Sequence, residues 1–494
     1  MAEDKQEAAD KHRELKDKAV KGTFWTGGGQ IVRQVVQILT SVMLARLLVP
    51  EDFGLLAMAM VFVGVAQLIA DFGIGAAVVQ RDEVPERLLS SCFWLNLIIA
   101  GLLSLLVALF AGVIAGFYGN PKVEPVLQIL SVNLIIGGLI VLPRALLYRR
   151  MDFQSIAIAQ LSGTTVGSAV AVVMAWNGLG VGALIAQPIA ASLTVLLITW
   201  WRGGWSPGFC LDMRGTRDVI GFSANLLGSN LLNFANRNAD DFIVGKVIGS
   251  HAAGIYSFAY QIMLYPLGQV STVIVKVLFP TLSQMKHDLA AFGETYLAAI
   301  RFISLVTFPL MLGLFMVADV FVPLVFGEQW LEMIPILKVF CLAGMLQSIT
   351  TVVGTIFMST GHVNALFRLS VLQTPVMILG FIVGAYFGLV YVALIYLGLT
   401  VVFFFWVHGV AFSFIELRLR QLLVVLWPQL LCAGLMVAVL AVSELVLSGF
   451  ALPALPWLLL QIPLGAVVYL AATWFLNKEV VAVIRYRLAS RKAA

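Results

Sequence analysis

Residues 88–117 read LLSSCFWLNLIIAGLLSLLVALFAGVIAGF, a run without any charged side chain. A helix needs roughly 20 apolar residues to cross about 30 Å of hydrocarbon, so this run is long enough to span a membrane. Because backbone groups cannot stay unpaired in lipid, such spans must be helices. Comparable stretches predict fourteen spans, at 22–45, 53–78, 88–117, 123–146, 154–176, 178–200, 219–246, 251–275, 295–318, 331–357, 364–386, 388–415, 422–446 and 453–476.

The overall composition agrees with an all-α polytopic membrane protein. The chain is 61% hydrophobic and 12% charged, with a mean hydropathy of +0.97. An ordinary soluble domain is about 25% charged. The sequence has no P-loop pattern, its histidines are scattered singly and its four cysteines lack metal-ligand spacing. We therefore expect no enzymatic activity, no metal site and no nucleic-acid partner.

Lysine and arginine in the loops predict the orientation. With the N-terminus inside, 24 of these residues fall in cytoplasmic segments and four on the opposite side. Positive charge accumulates on the cytoplasmic side of membrane proteins. Both termini are therefore predicted to be cytoplasmic, which requires an even number of spans.

An internal repeat appears when the chain is shifted by 200 residues. Arg46–Gly54 then falls on Lys246–Gly254, and in both segments a basic residue closes one span and a glycine opens the next. Spans 1–6 and 7–12 are thus predicted to form two related lobes, with the substrate path between them and alternating access by rocking. The predicted organisation is a cytoplasmic tail at 1–21, a first lobe at 22–200, a loop at 201–218, a second lobe at 219–415, two further spans at 422–476 and a cytoplasmic tail at 477–494.

Polar residues form a stripe on one face of span 1. Intramembrane charge is costly and usually marks a substrate or ion pathway. Arg33 lies about 11 residues into the span, or roughly 16 Å, near the predicted membrane centre. We predict either an anion-binding role for Arg33 or hydrogen bonding between helices. The other stripe residues predicted to bind substrate follow a spacing of three or four: Gln30, Gln34 and Gln37.

Span 7 carries a matching polar face, which predicts a hydrated cavity shared with span 1. Asn233, Asn236 and Arg237 are its candidate substrate-binding residues. Arg237 precedes Asp240 and Asp241 by three and four residues, so it either neutralises these carboxylates or contacts substrate. Their spacing also permits binding of a coupling H⁺ or Na⁺.

Other intramembrane features have plainer interpretations. Asp71 is interpreted as an interface residue, and Asn96 and Gln160 as hydrogen-bonding groups that join helices. Gly27–Gly29 in span 1 would let a neighbouring backbone approach closely or let the helix bend.

Several short motifs resemble those of a known transporter family. They are Gly22–Trp25 (GTFW), Leu44–Gly54 (LARLLVPEDFG), Asp71–Arg81 (DFGIGAAVVQR), Asp241–Gly245 (DFIVG) and Ala253–Ala259 (AGIYSFA). The chain is similar to Wzx-type polysaccharide exporters, and most of all to their colanic-acid-exporter-like branch. The likeness covers the whole chain, including the number of spans.

This resemblance implies the fold of the multidrug/oligosaccharidyl-lipid/polysaccharide (MOP) flippase superfamily, a two-lobed transporter of the bacterial inner membrane. It implies movement of an undecaprenyl-diphosphate-linked oligosaccharide for exopolysaccharide or lipopolysaccharide biosynthesis, with no cofactor. The implied partners are that lipid-linked oligosaccharide, membrane lipids, and the polysaccharide polymerase and export machinery. The alternatives are a cation-coupled multidrug exporter, a lipid II flippase and a non-transporting scaffold for glycan assembly.

Overall fold

The computed structural model describes residues 27–71, 73–81, 84–210, 231, 234–235, 237–447, 449 and 452–477. Within these ranges the backbone is almost entirely helical and forms no strand. The helices are α1 (27–47), α2 (Pro50–Asp71), α3 (Ile74–Gln80), α4 (Glu86–Tyr118), α5 (Val123–Arg149), α6 (Phe153–Trp176), α7 (Val181–Gly203), α8 (237–247), α9 (Ser250–Gln284), α10 (Leu289–Val325), α11 (Met333–Ser359), α12 (Val363–Phe387), α13 (Leu389–Ser413), α14 (Leu419–Leu447) and α15 (Ala454–Leu476). A 3₁₀ turn, Glu328–Trp330, lies between α10 and α11.

The helices confirm the predicted fold class. Among the described residues, 11 helices are long and apolar enough to cross a membrane: α2, α4–α7 and α10–α15. The eighth predicted span, 251–275, lies within α9, whereas α1 and α8 match only the described parts of the first and seventh predicted spans. Helices α1 and α8 both border residues outside the described ranges.

The second predicted span, 53–78, is wrong as a continuous helix. Helix α2 ends at Asp71 and α3 begins at Ile74. Gly73 between them has φ 66° and ψ 7°, a left-handed conformation that glycine adopts without steric cost. Asp71 and Gly73 lie at this point, but the long apolar runs on either side of them predict one span.

The chain divides into two compact units between Gly254 and Ile255, within α9. In the first unit, buried apolar residues of α2, α4, α5 and α7 form a common core. In the second unit, Phe258 of α9 packs on Trp330 with 4.5 Å between ring centroids. The Tyr469 hydroxyl of α15 donates to the Leu305 carbonyl of α10 at 2.9 Å, which ties the C-terminal pair of helices to that unit. The lobe boundaries at 22–200 and 219–415 stay a prediction.

Helix α8 packs along α2 and α4 within the first unit. Phe242 of α8 lies 6.0 Å from Phe62 of α2 and 5.4 Å from Phe117 of α4, measured between ring centroids. The Lys246 ammonium lies 4.5 Å above the Phe117 ring and also donates to the Phe117 carbonyl oxygen. Aromatic and cation–π contacts therefore fix the end of α8 nearest the repeat motif.

Two glycines matched by the 200-residue offset meet in backbone contact. A Cβ on Gly54 would overlap the carbonyl oxygen of Ser250 and lie 2.8 Å from the Gly254 nitrogen. In reciprocal fashion, a Cβ on Gly254 would overlap the carbonyl oxygen of Pro50 and lie 2.9 Å from the Gly54 nitrogen. Pro50 and Ser250 are also related by the offset. The first turns of α2 and α9 thus cross with local two-fold symmetry, which supports the predicted repeat.

Candidate functional site

A polar cavity of about 430 Å³ lies inside the first unit, among helices α1, α2, α5, α6 and α7. Its volume falls within the range of about 300–1,000 Å³ typical of ligand pockets. We call it the polar cavity. Its polar lining residues are Arg33, Gln67, Asp71, Asn133, Arg144, Gln160, Thr164, Ser192 and Thr199.

Close packing of α6 on α7 builds one wall of the polar cavity. A Cβ on Gly163 of α6 would lie 2.8 Å from the Ala191 carbonyl oxygen of α7, and Gly167 repeats this close approach one turn later. Small residues four apart let membrane helices approach until their backbones touch. Thr164 and Ser192, next to these contact residues in sequence, consequently line the cavity.

Arg33 is held at the cavity wall by neutral amides. Its Nη1 donates to the Gln160 Oε1 of α6 at 3.0 Å, and its Nη2 donates to the Gln30 Oε1 on its own helix. Its Nε is buried and makes no hydrogen bond. Among the described residues, no carboxylate lies within ion-pair distance of Arg33. Within the described ranges the positive charge of this guanidinium is therefore not balanced by an ion pair, and it has donors left for an anion.

Arg33 lies closer to one end of the bundle than the sequence predicts. Gln160 is seven residues from Phe153, the first residue of α6. At 1.5 Å per residue, Gln160 lies about 10 Å from the start of α6, and Arg33, its hydrogen-bond partner, lies at a similar depth. That end, where α5 connects to α6, is predicted to face the cytoplasm.

A carboxylate and a second arginine occupy the same cavity. Gln67 hydrogen-bonds the Asp71 carboxylate one turn along α2, and Arg144 of α5 interacts with it electrostatically. The Gln67 amide lies against Gly137, where a Cβ would come within 2.9 Å of its Nε2. With Arg33 and Arg144 against Asp71, the charged lining residues of the polar cavity carry one net positive charge. This balance suits an anionic ligand.

Two consecutive arginines at the end of α5 fix the neighbouring helices. Arg149 donates from Nη1 to the carbonyl oxygens of Val78 and Arg81, both at 2.9 Å, where α3 ends. Arg150 donates from Nη1 to the Gly203 carbonyl oxygen at 2.8 Å, at the end of α7. Cations at helix C-termini satisfy unpaired carbonyl groups and favour the helix dipole. The C-terminal end of α5 therefore holds the C-terminal ends of α3 and α7 in place.

A smaller cavity, of about 170 Å³, lies between α1 and α6. We call it the side cavity. It shares Arg33, Ile156 and Gln160 with the polar cavity. The remaining lining residues are Gly29, Gln30, Tyr148, Phe153, Ala157 and Leu161. The Arg33–Gln160 hydrogen bond thus forms part of the wall common to both cavities.

The structure brings some of the predicted span-1 residues to these cavities and leaves others outside. Arg33 and Gln30 line one or both of them. Gln34 is half-buried and Gln37 is exposed, and neither lines either cavity.

The predicted span-7 residues lie elsewhere in the first unit. Arg237 is exposed and Asp240 is buried, with its Oδ1 accepting from the Asp241 backbone N–H at 3.0 Å. Asp241 lies within electrostatic range of Tyr118 of α4, and its Oδ1 is buried without a hydrogen bond. No ion pair joins Arg237 to Asp241 in the described part of the chain. Asn233 and Asn236 lie outside the described residues, so the cavity shared by spans 1 and 7 stays a prediction.

Sequence reasoning missed most of the polar cavity. Gln160 joins two helices as predicted, through its hydrogen bond with Arg33, but the sequence indicated no cavity at Gln160, Asp71 or Arg144. Their shared signal is a charged or amide side chain within a helix of membrane-spanning length. Their convergence depends on how these three helices pack, which no spacing along one helix reveals.

The fold is that of a polytopic helical membrane protein, and the polar cavity in its first unit carries a net positive charge. A model of the family described as "polysaccharide biosynthesis protein" matches residues 43–335. The chain belongs to this family.

Curated relatives match most of the chain. The lipopolysaccharide biosynthesis protein WzxC of Escherichia coli (strain K12) is 27% identical over 378 residues, which cover 75% of this chain and 76% of the relative. The teichuronic acid biosynthesis protein TuaB of Bacillus subtilis (strain 168) is 28% identical over 350 residues, covering 70% and 72%. The succinoglycan biosynthesis transport protein ExoT of Rhizobium meliloti (strain 1021) is 29% identical over 310 residues, covering 62% of both chains.

Solved structures identify the fold. The lipid II flippase MurJ in an inward closed conformation superposes with a TM-score of 0.75 at 15% identity, covering 94% of this chain and 100% of that one. An inward-facing multidrug resistance MATE family transporter of the MOP superfamily gives a TM-score of 0.62 at 15% identity, covering 78% and 99%. The chain therefore shares the fold of these two transporters, and the family match confirms the resemblance seen in the sequence.

Proposed function

We propose that this protein moves an undecaprenyl-diphosphate-linked oligosaccharide across the bacterial inner membrane, with both termini in the cytoplasm. The transported repeat unit serves exopolysaccharide or lipopolysaccharide biosynthesis. The protein performs no covalent chemistry and acts by alternating access, in which the loaded site becomes exposed to one side and then the other. The polymerase and export machinery receive the unit after transfer.

The observation that carries this proposal is the guanidinium of Arg33 at the polar cavity, which no carboxylate in the described part of the chain pairs with. A diphosphate is strongly anionic, and the forked donors of arginine suit its oxygens. Gln30 and Gln160 orient the fork through their amide oxygens. Sugar hydroxyls find donors and acceptors in the cavity's amide and hydroxyl side chains, among them Asn133, whose Oδ1 is buried without a partner.

The relatives point in the same direction. WzxC and TuaB are named for the biosynthesis of bacterial surface polysaccharides, and ExoT is named as a transport protein. We extend a role in polysaccharide biosynthesis and transport to this chain, and we propose that the transported molecule is the lipid-linked precursor. The cationic cavity supports an anionic precursor over the cationic drugs that a multidrug exporter would take.

The test is mass spectrometry of lipids from a strain lacking this protein and from its parent. We expect an undecaprenyl-diphosphate oligosaccharide to accumulate in the deletion strain and to return to the parental level on complementation. Accumulation of lipid II would instead assign the lipid II flippase function. An unchanged lipid pool together with altered drug efflux would assign the multidrug exporter function. An unchanged pool with unchanged efflux would favour a scaffold.

We further propose that Asp240 and Asp241 bind the coupling ion, H⁺ or Na⁺. Two adjacent carboxylates on a membrane helix, one with a buried oxygen lacking a hydrogen-bond partner, support this role. In energised vesicles we expect Asp241→Asn to abolish the dependence of transport on the ion gradient. Glu124→Gln, outside the polar and side cavities, is the control. Unaltered ion dependence in Asp241→Asn and in Asp240→Asn would exclude these residues.

A further inference from the structure

The polar cavity and the side cavity differ in chemistry although they share a wall. The polar cavity is lined by three charged groups and several amides and hydroxyls. The side cavity is lined mainly by carbon, with its charge and amides confined to Gln30 and the shared Arg33–Gln160 pair. Arg33 therefore lies at a boundary between a polar and an apolar space. A lipid whose anionic group joins a polar head to an apolar tail would match this arrangement, with its anionic group at Arg33.

Glycine at position 29 leaves room for the side cavity. Gly29 of α1 faces α6, and a Cβ on it would lie 3.6 Å from the Ala157 Cβ. Gly28, its neighbour, has no heavy atom within 4 Å of such a Cβ and is exposed. A larger side chain at Gly29 would enter the side cavity, whereas one at Gly28 would not.

The side cavity also borders apolar surface of the spanning helices. Tyr148, one of its lining residues, is 40% exposed. On α1, Ile31 is 64% exposed and Val35 is 51% exposed. Helix α1, which lines the side cavity, thus also presents apolar side chains that a hydrocarbon chain outside the cavity would contact.

We propose that the side cavity binds the first isoprenoid units of a polyprenyl diphosphate, with the diphosphate at Arg33 and the glycan in the polar cavity. The inference rests on the proposed function and adds to it the position of the lipid tail. The volume of about 170 Å³ is below that of a pocket for a whole drug-sized ligand. It accommodates the start of the chain, and the remainder continues along the apolar surface of α1 and α6. The α1–α6 gap is then the route by which the carrier lipid reaches the polar cavity.

Binding of two soluble probes to the purified full-length protein tests this assignment. Inorganic diphosphate reports on the headgroup site alone, and geranyl diphosphate adds two isoprenoid units. We expect wild-type protein to bind geranyl diphosphate at least about tenfold more tightly, because the apolar units leave water. Gly29→Leu should remove this difference and leave the affinity for inorganic diphosphate within about twofold of wild type. Gly28→Leu, the matched control, should behave as wild type.

The possible outcomes separate this inference from the proposed function. A preference for geranyl diphosphate that survives in Gly29→Leu would overturn the tail site, as would equal affinity of wild type for the two probes. Failure of wild type to bind either probe would overturn the headgroup site in the proposed function, and the tail site with it. If Gly29→Leu bound neither probe while Gly28→Leu bound both, that result would also count against a tail site separate from Arg33.

Photo-crosslinking in membranes provides a second measurement that does not depend on a cavity-filling variant. p-Benzoylphenylalanine replaces Tyr148 at the side cavity or Val173, a residue of α6 that is 60% exposed and lines neither cavity. We expect labelled undecaprenyl diphosphate to crosslink at Tyr148 well above Val173, and Arg33→Ala to reduce the Tyr148 product. Equal labelling at both positions would identify ordinary membrane contact and overturn the assignment.

Discussion

Arg33 combines a fixed position with a charge that forms no ion pair with the carboxylates that the structure describes. Two amide oxygens hold its guanidinium, and its Nε has no hydrogen bond. Hydrogen bonding by neutral groups orients a cation without cancelling its charge, unlike a salt bridge. The sequence predicted Arg33 and Gln30 as site residues because they share one helical face. It could not predict that Gln160 of α6 would complete the arrangement, because this contact joins residues 127 positions apart.

Removal of the Arg33 charge should abolish most transport. Hydrogen bonds to charged groups contribute about 1.5–3 kcal/mol, so we expect Arg33→Ala to lower the export rate roughly tenfold or more. Arg33→Lys should restore part of it, because lysine keeps the charge and loses the fork. Polysaccharide export, normalised to protein abundance in the membrane, is the measurement. Export at the wild-type level by Arg33→Ala would remove Arg33 from the mechanism.

We expect the Asp71 carboxylate to weaken anion binding in the polar cavity. Its carboxylate offsets one of the two positive charges among the lining residues, so Asp71→Asn raises their net charge from one to two. We expect Asp71→Asn to bind inorganic diphosphate roughly tenfold more tightly. The reason is that removal of the carboxylate charge removes its Coulomb repulsion of the diphosphate. Glu124→Gln, at the opposite end of α5, is the control for a general change in charge. Weaker binding in Asp71→Asn would show that Asp71 positions Arg144 and does not oppose the ligand.

At the scale of the helices, hydropathy predicted the spans well and their internal details poorly. The apolar runs that become α4–α7 and α10–α15 are long and uninterrupted, so their length alone indicates membrane helices. The interruption between α2 and α3 depends on the backbone conformation of Gly73. A change of backbone conformation does not alter the hydropathy. The α6–α7 contact likewise depends on which faces carry glycine.

The crossing of α2 and α9 should tolerate no side chain. A methyl group at Gly54 or Gly254 would overlap a backbone carbonyl, and overpacking of this kind costs about 1–3 kcal/mol. We expect Gly54→Ala and Gly254→Ala each to lower the thermal unfolding midpoint in detergent by several degrees. Gly101→Ala of α4 is the matched control, because its Cβ would have no heavy atom within 4 Å. Equal midpoints for Gly54→Ala and Gly101→Ala would contradict the close crossing.

At the scale of the whole molecule, the internal repeat and the family match both support the architecture predicted from the sequence. The 200-residue offset, found from one short motif, is supported by the reciprocal contact of Gly54 with Gly254. The family model and the superposition on MurJ extend the likeness over most of the chain. The location of the cavity was beyond the reach of the sequence. The prediction relied on the symmetry of spans 1 and 7, whereas the polar cavity uses α2, α5, α6 and α7 with one arginine from α1.

The central claim is that this protein transfers a lipid-linked oligosaccharide between leaflets and that Arg33 takes part. The most direct measurement is leaflet transfer of a labelled undecaprenyl-diphosphate oligosaccharide in proteoliposomes that contain the purified protein. We predict rapid transfer with wild-type protein, and transfer at least about tenfold slower with Arg33→Ala at equal incorporation. Transfer by wild type no faster than in protein-free liposomes, under an imposed ion gradient of either H⁺ or Na⁺, would contradict the account.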